Sequence, residues 1–264
     1  PSMSDLAKEI VDLGAIPGIW FRPLKDLSDN LLNCRHPLNK EIYDPSCVEV
    51  IEQIKKDVTQ FVSWGYKLIK LDFVTVDIYW KYGFEMDENL CEQGFEFKNN
   101  NYTNAELILL MYKAIREAAK DAVLIGCNAI GHLCAGICEI NRIGDDTSGF
   151  EWERTRKMGV NSLAYKLFQN KIFYAIDADC VGIMDKIDWS QNKEWLNLLA
   201  VSGSPLFVSF DPDKTNEEIK RDVREAFLIN SKQTNDTKPK FFGEQLLPNE
   251  WIVDNKTIKF NWNK

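Results

Sequence analysis

The chain has 264 residues, of which 45% are hydrophobic and 27% are charged, and its net charge is −8. This composition is that of an ordinary globular protein. The acidic balance argues against a nucleic-acid groove and against an anionic membrane surface, and it permits a neutral substrate. No apolar run approaches the roughly 20 residues that a membrane span needs.

Segments with helical and strand-like patterns alternate along the chain. Apolar residues at helical spacing, with capping residues before them, predict helices over residues 3–13, 45–64, 103–118, 152–168, 195–201 and 215–229. Short apolar runs predict strands near residues 19, 69, 125, 141, 174 and 207. This alternation predicts an α/β protein with a parallel sheet.

Several of these strands end in an acidic residue, which favours a TIM (β/α)8-type barrel. In such a barrel the C-terminal ends of the strands form the rim of the active site. An open doubly wound sheet is the competing architecture, but no glycine-rich phosphate loop follows a strand here.

The six predicted strands do not complete a barrel of eight. We therefore expect an incomplete segment of about six βα units over residues 1–235, lacking its first two strands. Residues 251–262 predict a β-hairpin with Asp254, Asn255 and Lys256 at its turn. Residues 236–264 are accordingly expected to begin a C-terminal β-sandwich-type domain.

The run Tyr66–Phe73 carries the first candidate for chemistry. Side chains alternate along a strand, so Lys70 and Asp72 point to one side. Two charged groups on a buried strand are costly unless they pair or have a function. An internal ion pair and a catalytic carboxylate are both compatible with this run.

A second carboxylate follows the strand near residue 141. Retaining glycoside hydrolysis needs two carboxyl groups about 5–5.5 Å apart, as nucleophile and as acid/base. Asp72 and Asp146 lie at the ends of different predicted strands, as this reaction requires. Arg142 offers N–H donors to sugar hydroxyls, and Trp20 offers a flat apolar wall for a sugar ring. In the structural alternative, Asp145 and Asp146 cap a helix and Trp20 belongs to the core.

Seven cysteines at irregular spacing do not form a disulfide framework, so free thiols in a reducing compartment are the simpler interpretation. Cys127, Cys134 and Cys138 lie near His132, but no CxxC pair is present. No metal site is predicted.

Six short motifs, in order, carry a resemblance to a known family. They are Gly18-Ile19-Trp20 with Pro23, Lys70-Leu71-Asp72-Phe73, Gly126-Cys127, Arg142-Ile143-Gly144-Asp145-Asp146-Thr147 with Trp152, Asp177-Ala178-Asp179, and Ser202-Gly203. Over residues 1–211 the chain thus resembles the catalytic barrel of bacterial α-galactosidases of glycoside hydrolase family 36, in the melibiase superfamily.

The resemblance implies a glycosidase that releases terminal α-linked galactose with retention of configuration. By position in the motifs, Asp72 would be the nucleophile and Asp146 the acid/base. The sugar pocket would be lined by Trp20, Lys70, Cys127, Arg142, Asp177 and Asp179. No metal or organic cofactor is implied, and the partner is a carbohydrate substrate.

Two departures from the family pattern leave alternatives open. Asp145 stands where the family often has proline, so it competes with Asp146 for the acid/base role; the four-residue step from Arg142 favours Asp146. Residues 128–132 differ where the 2-position of the sugar is expected, so an α-N-acetylgalactosaminidase is an alternative. A non-catalytic carbohydrate-binding barrel is the other, and the two carboxylates argue against it.

Cellular location and assembly are less determined by the sequence. Cysteine usage favours the cytoplasm, while a secreted or periplasmic location stays open because the true N-terminus is expected to be missing. A homo-oligomer also stays open.

Overall fold

The computed structural model describes residues 2–82, 85, 94–232, 236–241 and 243–263. The chain divides into two compact units, Pro1–Asn141 and Arg142–Lys264, here called unit 1 and unit 2. Among the described residues, no helix is both long enough and apolar enough to cross a membrane.

Unit 1 alternates strands and helices over most of its length. Its strands are β1 (Gly18–Phe21), β2 (Arg35–His36), β3 (Asn39–Tyr43), β4 (Leu68–Leu71), β5 (Val123–Gly126) and β6 (Ile140–Arg142), the last residue of which opens unit 2. Its helices are α1 (Met3–Asp12), α2 (Val48–Ser63), α3 (Val74–Tyr79), α4 (Asn104–Ala119) and α5 (Gly131–Cys134), with a 3-10 turn at Leu32–Cys34.

A parallel sheet organises unit 1, with the strand order β1-β4-β5-β6. Trp20 lies opposite Lys70, and Leu71 lies opposite Gly126. Ile69 and Leu71 are buried, whereas Lys70 is half-buried, as alternation along a strand requires. The predicted α/β class and parallel sheet are confirmed.

Local sequence signals account for the two long helices of unit 1. The Thr103 side chain accepts from the Glu106 amide, and the Glu106 carboxylate accepts from the Thr103 amide, which forms the predicted capping box. Helices α2 and α4 pack against each other through their apolar faces.

Three elements of unit 1 lie where the sequence predicts only loops. The hairpin β2–β3 is short and polar, so it shows no apolar run, and α3 begins two residues after Asp72, with Phe73 as its N-cap. Helix α5 has a single turn. Elements of this length are fixed by tertiary contacts rather than by a repeating pattern.

Unit 2 contains both parallel and antiparallel strands. Its strands are β7 (Ala175–Asp177), β8 (Cys180–Ile183), β9 (Phe207–Phe210), β10 (Thr237–Pro239), β11 (Glu250–Val253) and β12 (Lys256–Lys259). Its helices are α6 (Trp152–Arg154), α7 (Ser162–Lys166), α8 (Trp189–Val201) and α9 (Glu217–Asn230), with a π-helical segment at Thr155–Asn161 and 3-10 turns at Leu167–Gln169 and Pro212–Lys214.

The predicted number of six strands is wrong, because β8 is an additional strand, as are the two strands of the short hairpin β2–β3. β8 pairs in parallel with β9, and Val181 lies opposite Val208. Only two residues separate β8 from β7, so the short apolar run of β8 lies too close to β7 to be recognised as a strand of its own. Gly182 is required there, since a Cβ would lie 2.3 Å from the Ser148 carbonyl.

The predicted C-terminal hairpin is confirmed. β11 and β12 pair antiparallel, and β10 joins them to make a three-stranded sheet. Asp254 and Asn255 have φ values of 48° and 65°, as a type I′ hairpin turn needs at both central positions. Trp251, in β11, is fully buried.

No disulfide joins the cysteines that the structure describes, which are Cys34, Cys47, Cys127, Cys134, Cys138 and Cys180. Cys91 lies outside the described residues.

Candidate active site

Strand β4 delivers Asp72 to the C-terminal edge of the sheet in unit 1. Asp72 is the first residue after the strand, and its amide donates to the Phe21 carbonyl at 2.9 Å. On the other side, the Cys127 amide donates to the Leu71 carbonyl at 2.8 Å. The backbone around Asp72 is therefore held from both neighbouring strands.

The Asp72 carboxylate accepts three hydrogen bonds from uncharged donors. Oδ2 accepts from Trp20 Nε1 at 2.9 Å. Oδ1 accepts from Asn128 Nδ2 at 2.9 Å and from the Phe73 amide at 2.7 Å. Trp20, Lys70, Asp72 and Asn128 are called the Asp72 cluster below.

These donors outweigh the effect of burial on the pKa of Asp72. Burial of this residue, which is 7% exposed, raises the pKa. The hydrogen bonds from Trp20 and Asn128, with the Phe73 amide and the charge of Lys70, leave the pKa below its ordinary value. The carboxylate is thus held ionised at neutral pH, which is the state in which it can act as a nucleophile.

The residue after Asp72 is fixed in an unusual backbone conformation. Phe73 has φ of 61°, in the left-handed region. The Arg22 guanidinium lies 4.4 Å from the centre of its ring. Arg22 Nε in turn donates to both oxygens of the buried Asp77, at 3.2 and 3.0 Å. Burial raises the pKa of Asp77, and Arg22 opposes that shift.

Two further predicted residues of unit 1 differ in their exposure. Trp20 is 50% exposed, and its ring meets that of Phe73 edge to face at 6.2 Å. It can therefore offer a flat surface to a ligand while its indole N–H stays on Asp72. Cys127 is only 4% exposed, which leaves its side chain little surface for a ligand.

In unit 2, Arg142 lies among three carboxylates. Its Nε donates to Asp177 Oδ2 at 3.0 Å, Nη1 to Asp146 Oδ1 at 3.2 Å, and Nη2 pairs with Asp179 Oδ1 at 2.5 Å. These four residues are called the Arg142 cluster. The Arg142 side chain is 6% exposed, so its N–H groups serve protein carboxylates rather than solvent.

Asp177 and Asp179 are structural partners of this arginine. The Asp179 amide donates to Asp177 Oδ1 at 2.7 Å, and Asp179 Oδ2 accepts from the Thr147 amide at 2.6 Å. Burial raises the pKa of Asp179, against the opposing effect of Arg142. Both aspartates are buried, so their contacts hold Arg142 and the chain at Thr147 in place.

The two rival aspartates of the Arg142–Thr147 segment have different surroundings. The Asp146 side chain is 65% exposed and contacts Arg142. The Asp145 side chain is 15% exposed and forms an ion pair with Arg154. Arg154 Nε also donates to the Asp146 carbonyl at 3.0 Å. Of the two, Asp146 is the carboxylate that a ligand from solvent can reach.

The residue preceding these aspartates must be glycine. A Cβ on Gly144 would lie 2.1 Å from the Met158 carbonyl, in the π-helical segment that follows. π-Helical turns are often found at functional sites. The close approach fixes the segment that carries both aspartates.

Sequence reasoning missed three residues that shape the Asp72 cluster. Asn128 directly follows the Gly126-Cys127 motif. A polar residue just after a strand end is a pattern that could have indicated it as a site residue. Arg22 and Asp77 lie 55 positions apart, so no local pattern could pair them.

No family model matches the chain. The chain is similar in structure to the α-galactosidase of Thermus thermophilus in complex with p-nitrophenyl α-D-galactopyranoside, with a TM-score of 0.66 and 18% identity over 97% of this chain and 54% of that one. It is also similar to a glycoside hydrolase family 27 β-L-arabinopyranosidase from Geobacillus stearothermophilus, with a TM-score of 0.67 and 15% identity over 96% of this chain and 61% of that one.

A third similar structure is an isomalto-dextranase from Arthrobacter globiformis T6 complexed with panose, with a TM-score of 0.64 and 14% identity. The match covers 95% of this chain and 49% of that one. The chain thus spans about half to three-fifths of these structures. They are TIM-barrel glycosidases, and at these identities the likeness is one of fold. Closure of a barrel stays a prediction.

Proposed function

We propose that this chain is part of a retaining glycoside hydrolase that releases terminal α-linked galactose. The observation that carries the proposal is the Asp72 carboxylate, held ionised by uncharged donors at the end of a parallel strand. An ionised carboxylate whose hydrogen bonds come from uncharged groups can attack an anomeric carbon. The fold shared with α-galactosidases supports the same function.

In the proposed reaction Asp72 attacks the anomeric carbon while Asp146, in its protonated form, gives its proton to the leaving oxygen. A covalent glycosyl-enzyme forms. Asp146 then takes a proton from water, which attacks the same carbon and releases the sugar with its α configuration retained. The exposed Asp146 suits an exchange of protons with solvent better than Asp145, which is paired with Arg154.

The other predicted site residues take different roles. Trp20 stacks on the sugar ring and keeps Asp72 ionised, and Lys70 binds a hydroxyl group. Arg142, with Asp177 and Asp179, positions the Asp146 segment; the contacts of these buried side chains with one another support this role better than direct sugar binding. Cys127 is too buried to offer much surface to the sugar, so its proposed role is to hold the backbone beside Asp72 through the bond from its amide to the Leu71 carbonyl.

Family and domain assignments belong to the same proposal. The order of the motifs supports family 36, while one of the similar structures belongs to family 27 of the same melibiase-like clan. Residues 1–235 would form barrel structure, and residues 236–264 would belong to a β-domain, in line with the antiparallel sheet β10–β12.

The sugar that is released is the open part of the proposal. A β-L-arabinopyranosidase is among the structural neighbours. Asn128, in the segment expected near the 2-position, bonds to Asp72, so this residue bears on the choice between galactose and N-acetylgalactosamine. An assay with aryl α-galactoside, aryl α-N-acetylgalactosaminide and aryl β-L-arabinopyranoside, side by side, compares the three.

The deciding experiment removes each carboxylate and restores turnover with azide. Asp72→Gly should lose hydrolysis of an aryl α-galactoside by at least about a thousandfold, since the covalent step is gone. Azide should then take the place of Asp72 and give the β-galactosyl azide. Asp146→Ala should form the glycosyl-enzyme from an activated substrate, and azide should give the α-galactosyl azide.

Asp145→Ala is the matched control and should need no azide. Unchanged hydrolysis in Asp72→Gly, or α-azide from Asp145→Ala in place of Asp146→Ala, would overturn the corresponding assignment. Sugar binding without any hydrolysis by the parent protein would favour the carbohydrate-binding alternative.

A further inference from the structure

Two thiols and a carboxylate converge in unit 1, outside the Asp72 cluster. Cys34 ends the 3-10 turn Leu32–Cys34, Cys47 directly precedes α2, and Glu49 lies in the first turn of α2. One ligand atom of each lies within 4.8 Å of the other two. Within the part of the chain that the structure describes, no other three metal-ligating side chains meet in this way.

The separation of these atoms approaches that of a tetrahedral metal site. Cys34 Sγ lies 3.8 Å from a Glu49 carboxylate oxygen. Zinc–sulfur bonds of about 2.3 Å and zinc–oxygen bonds of about 2.0–2.2 Å place tetrahedral ligands roughly 3.5–3.8 Å apart. A movement of about 1 Å or less would therefore bring all three ligands to a common ion.

The backbone holds both cysteines close together through Asp44. The Asp44 amide donates to the Cys34 carbonyl at 2.9 Å, and the Cys47 amide donates to the Asp44 carbonyl at 3.2 Å. The buried Asp44 carboxylate accepts from the amides of Ser46 and Lys98, both at 2.8 Å. The two thiols thus stay adjacent without a metal, and their site is largely formed in advance.

The two thiols of this group are shielded from solvent, while its carboxylate is accessible. Cys34 and Cys47 are buried, whereas Glu49 is exposed. An ion could enter past the carboxylate and bind the thiols below it. A thiolate–carboxylate set with an open position suits Zn²⁺ better than Mg²⁺ or Ca²⁺, which prefer oxygen ligands alone.

We propose that Cys34, Cys47 and Glu49 bind one Zn²⁺ ion, with water as the fourth ligand. On binding, each thiol releases its proton to solvent as its sulfur–zinc bond forms. The ion would fasten the loop before β2 to the start of α2. This site is independent of the proposed glycosidase function, so either can fail without the other.

Cadmium is the probe, because thiolate–cadmium bonds absorb in the ultraviolet. Reduced protein is titrated with Cd²⁺ without oxygen, first alone and then after loading with Zn²⁺. We expect one equivalent of bound Cd²⁺ in both titrations, with a weaker apparent affinity when Zn²⁺ already occupies the site. The band should be lost in Cys34→Ser and Cys47→Ser, and kept in Cys180→Ser, which removes a thiol outside the cluster.

Glu49→Gln tests the same site without touching a buried residue, so a folding defect cannot hide the result. It should weaken Cd²⁺ binding by about tenfold or more, while Glu52→Gln, one turn along the same exposed helix face, should leave it unchanged. Three results would overturn the proposal: no thiolate band in the parent protein, an unchanged band in both cysteine variants, or equal affinities for Glu49→Gln and Glu52→Gln. The proposal would also be overturned if Cys34 and Cys47 form a disulfide and the protein still binds no Cd²⁺ after that disulfide is reduced.

Discussion

In the Asp72 cluster one carboxylate receives three hydrogen bonds from uncharged donors, whereas in the Arg142 cluster one guanidinium is shared by three carboxylates. Both arrangements bury aspartates at strand ends, but they shift pKa values in opposite directions. The pKa of Asp72 is lowered and that of Asp179 is raised. Uncharged donors stabilise the Asp72 anion, whereas burial, with smaller contributions from the charges of Asp177 and Asp146, opposes the ionisation of Asp179.

In the proposed function, this difference separates the nucleophile from a supporting framework. Asp72 keeps its negative charge and has the exposed Trp20 beside it, as a nucleophile facing a sugar requires. Arg142 has its donors directed at protein carboxylates, and only Asp146 among its partners is exposed. Aspartates in the two clusters therefore have different proposed roles, because their hydrogen-bonding partners differ.

Breaking the Arg142 cluster should have the largest effect on stability. Arg142→Met leaves the buried Asp177 and Asp179 facing each other without a cation, which we expect to lower the free energy of unfolding by about 3–5 kcal/mol. Denaturant-induced unfolding measures this loss of stability. Asp146→Asn removes only the exposed partner and should cost less than about 1 kcal/mol. Equal costs for the two variants would contradict the description of Arg142 as a buried hub.

Removing the indole N–H donor of Trp20 tests the Asp72 cluster. Trp20→Phe keeps a ring but loses the N–H bond to the Asp72 anion, worth about 1.5–3 kcal/mol. We expect kcat/KM for an aryl α-galactoside to fall by about 10- to 150-fold. Because the pKa of Asp72 rises, the acidic limb of the pH profile should move to higher pH.

Trp64→Phe, at the end of α2, is the matched control and should leave both kcat/KM and the pH profile in place. An unmoved acidic limb in Trp20→Phe, with activity lost only through KM, would show that Trp20 binds sugar without setting the charge of Asp72.

The smallest effects are expected in the pH dependence of stability, and their signs differ between the clusters. Asp72 has a lowered pKa in the folded state, so its contribution is present above the unfolded pKa and is lost as pH falls through the folded one. Asp179 has a raised pKa, so its contribution is present at low pH and is lost as pH rises.

Unfolding measured at pH 6 and pH 3 compares the two directly. From pH 6 to pH 3, the free energy of unfolding should fall less in Asp72→Asn than in the parent protein. It should fall more in Asp179→Asn than in the parent protein. A shift of the same sign in both variants would show that the two carboxylates are not held in opposite ways.

Much of the fold follows from local sequence patterns. The spacing of apolar residues located helices α1, α2, α4 and α9 to within a few residues, and the capping pattern at Thr103 and Glu106 marks the start of α4. The short elements β2, β3, α3 and β8 carry too few residues for a period to show, and β8 runs on almost directly from β7.

The sequence by itself determined that Asp72 stands at the end of a buried strand, that Arg142 precedes Asp146 by four residues, and that an α/β chain holds both. It could not show which donors meet each carboxylate, because Trp20 and Asn128 lie 52 and 56 positions from Asp72. Only the tertiary structure brings these side chains together. The pKa of a buried carboxylate depends on such contacts, so the difference between the lowered pKa of Asp72 and the raised pKa of Asp179 was decided there.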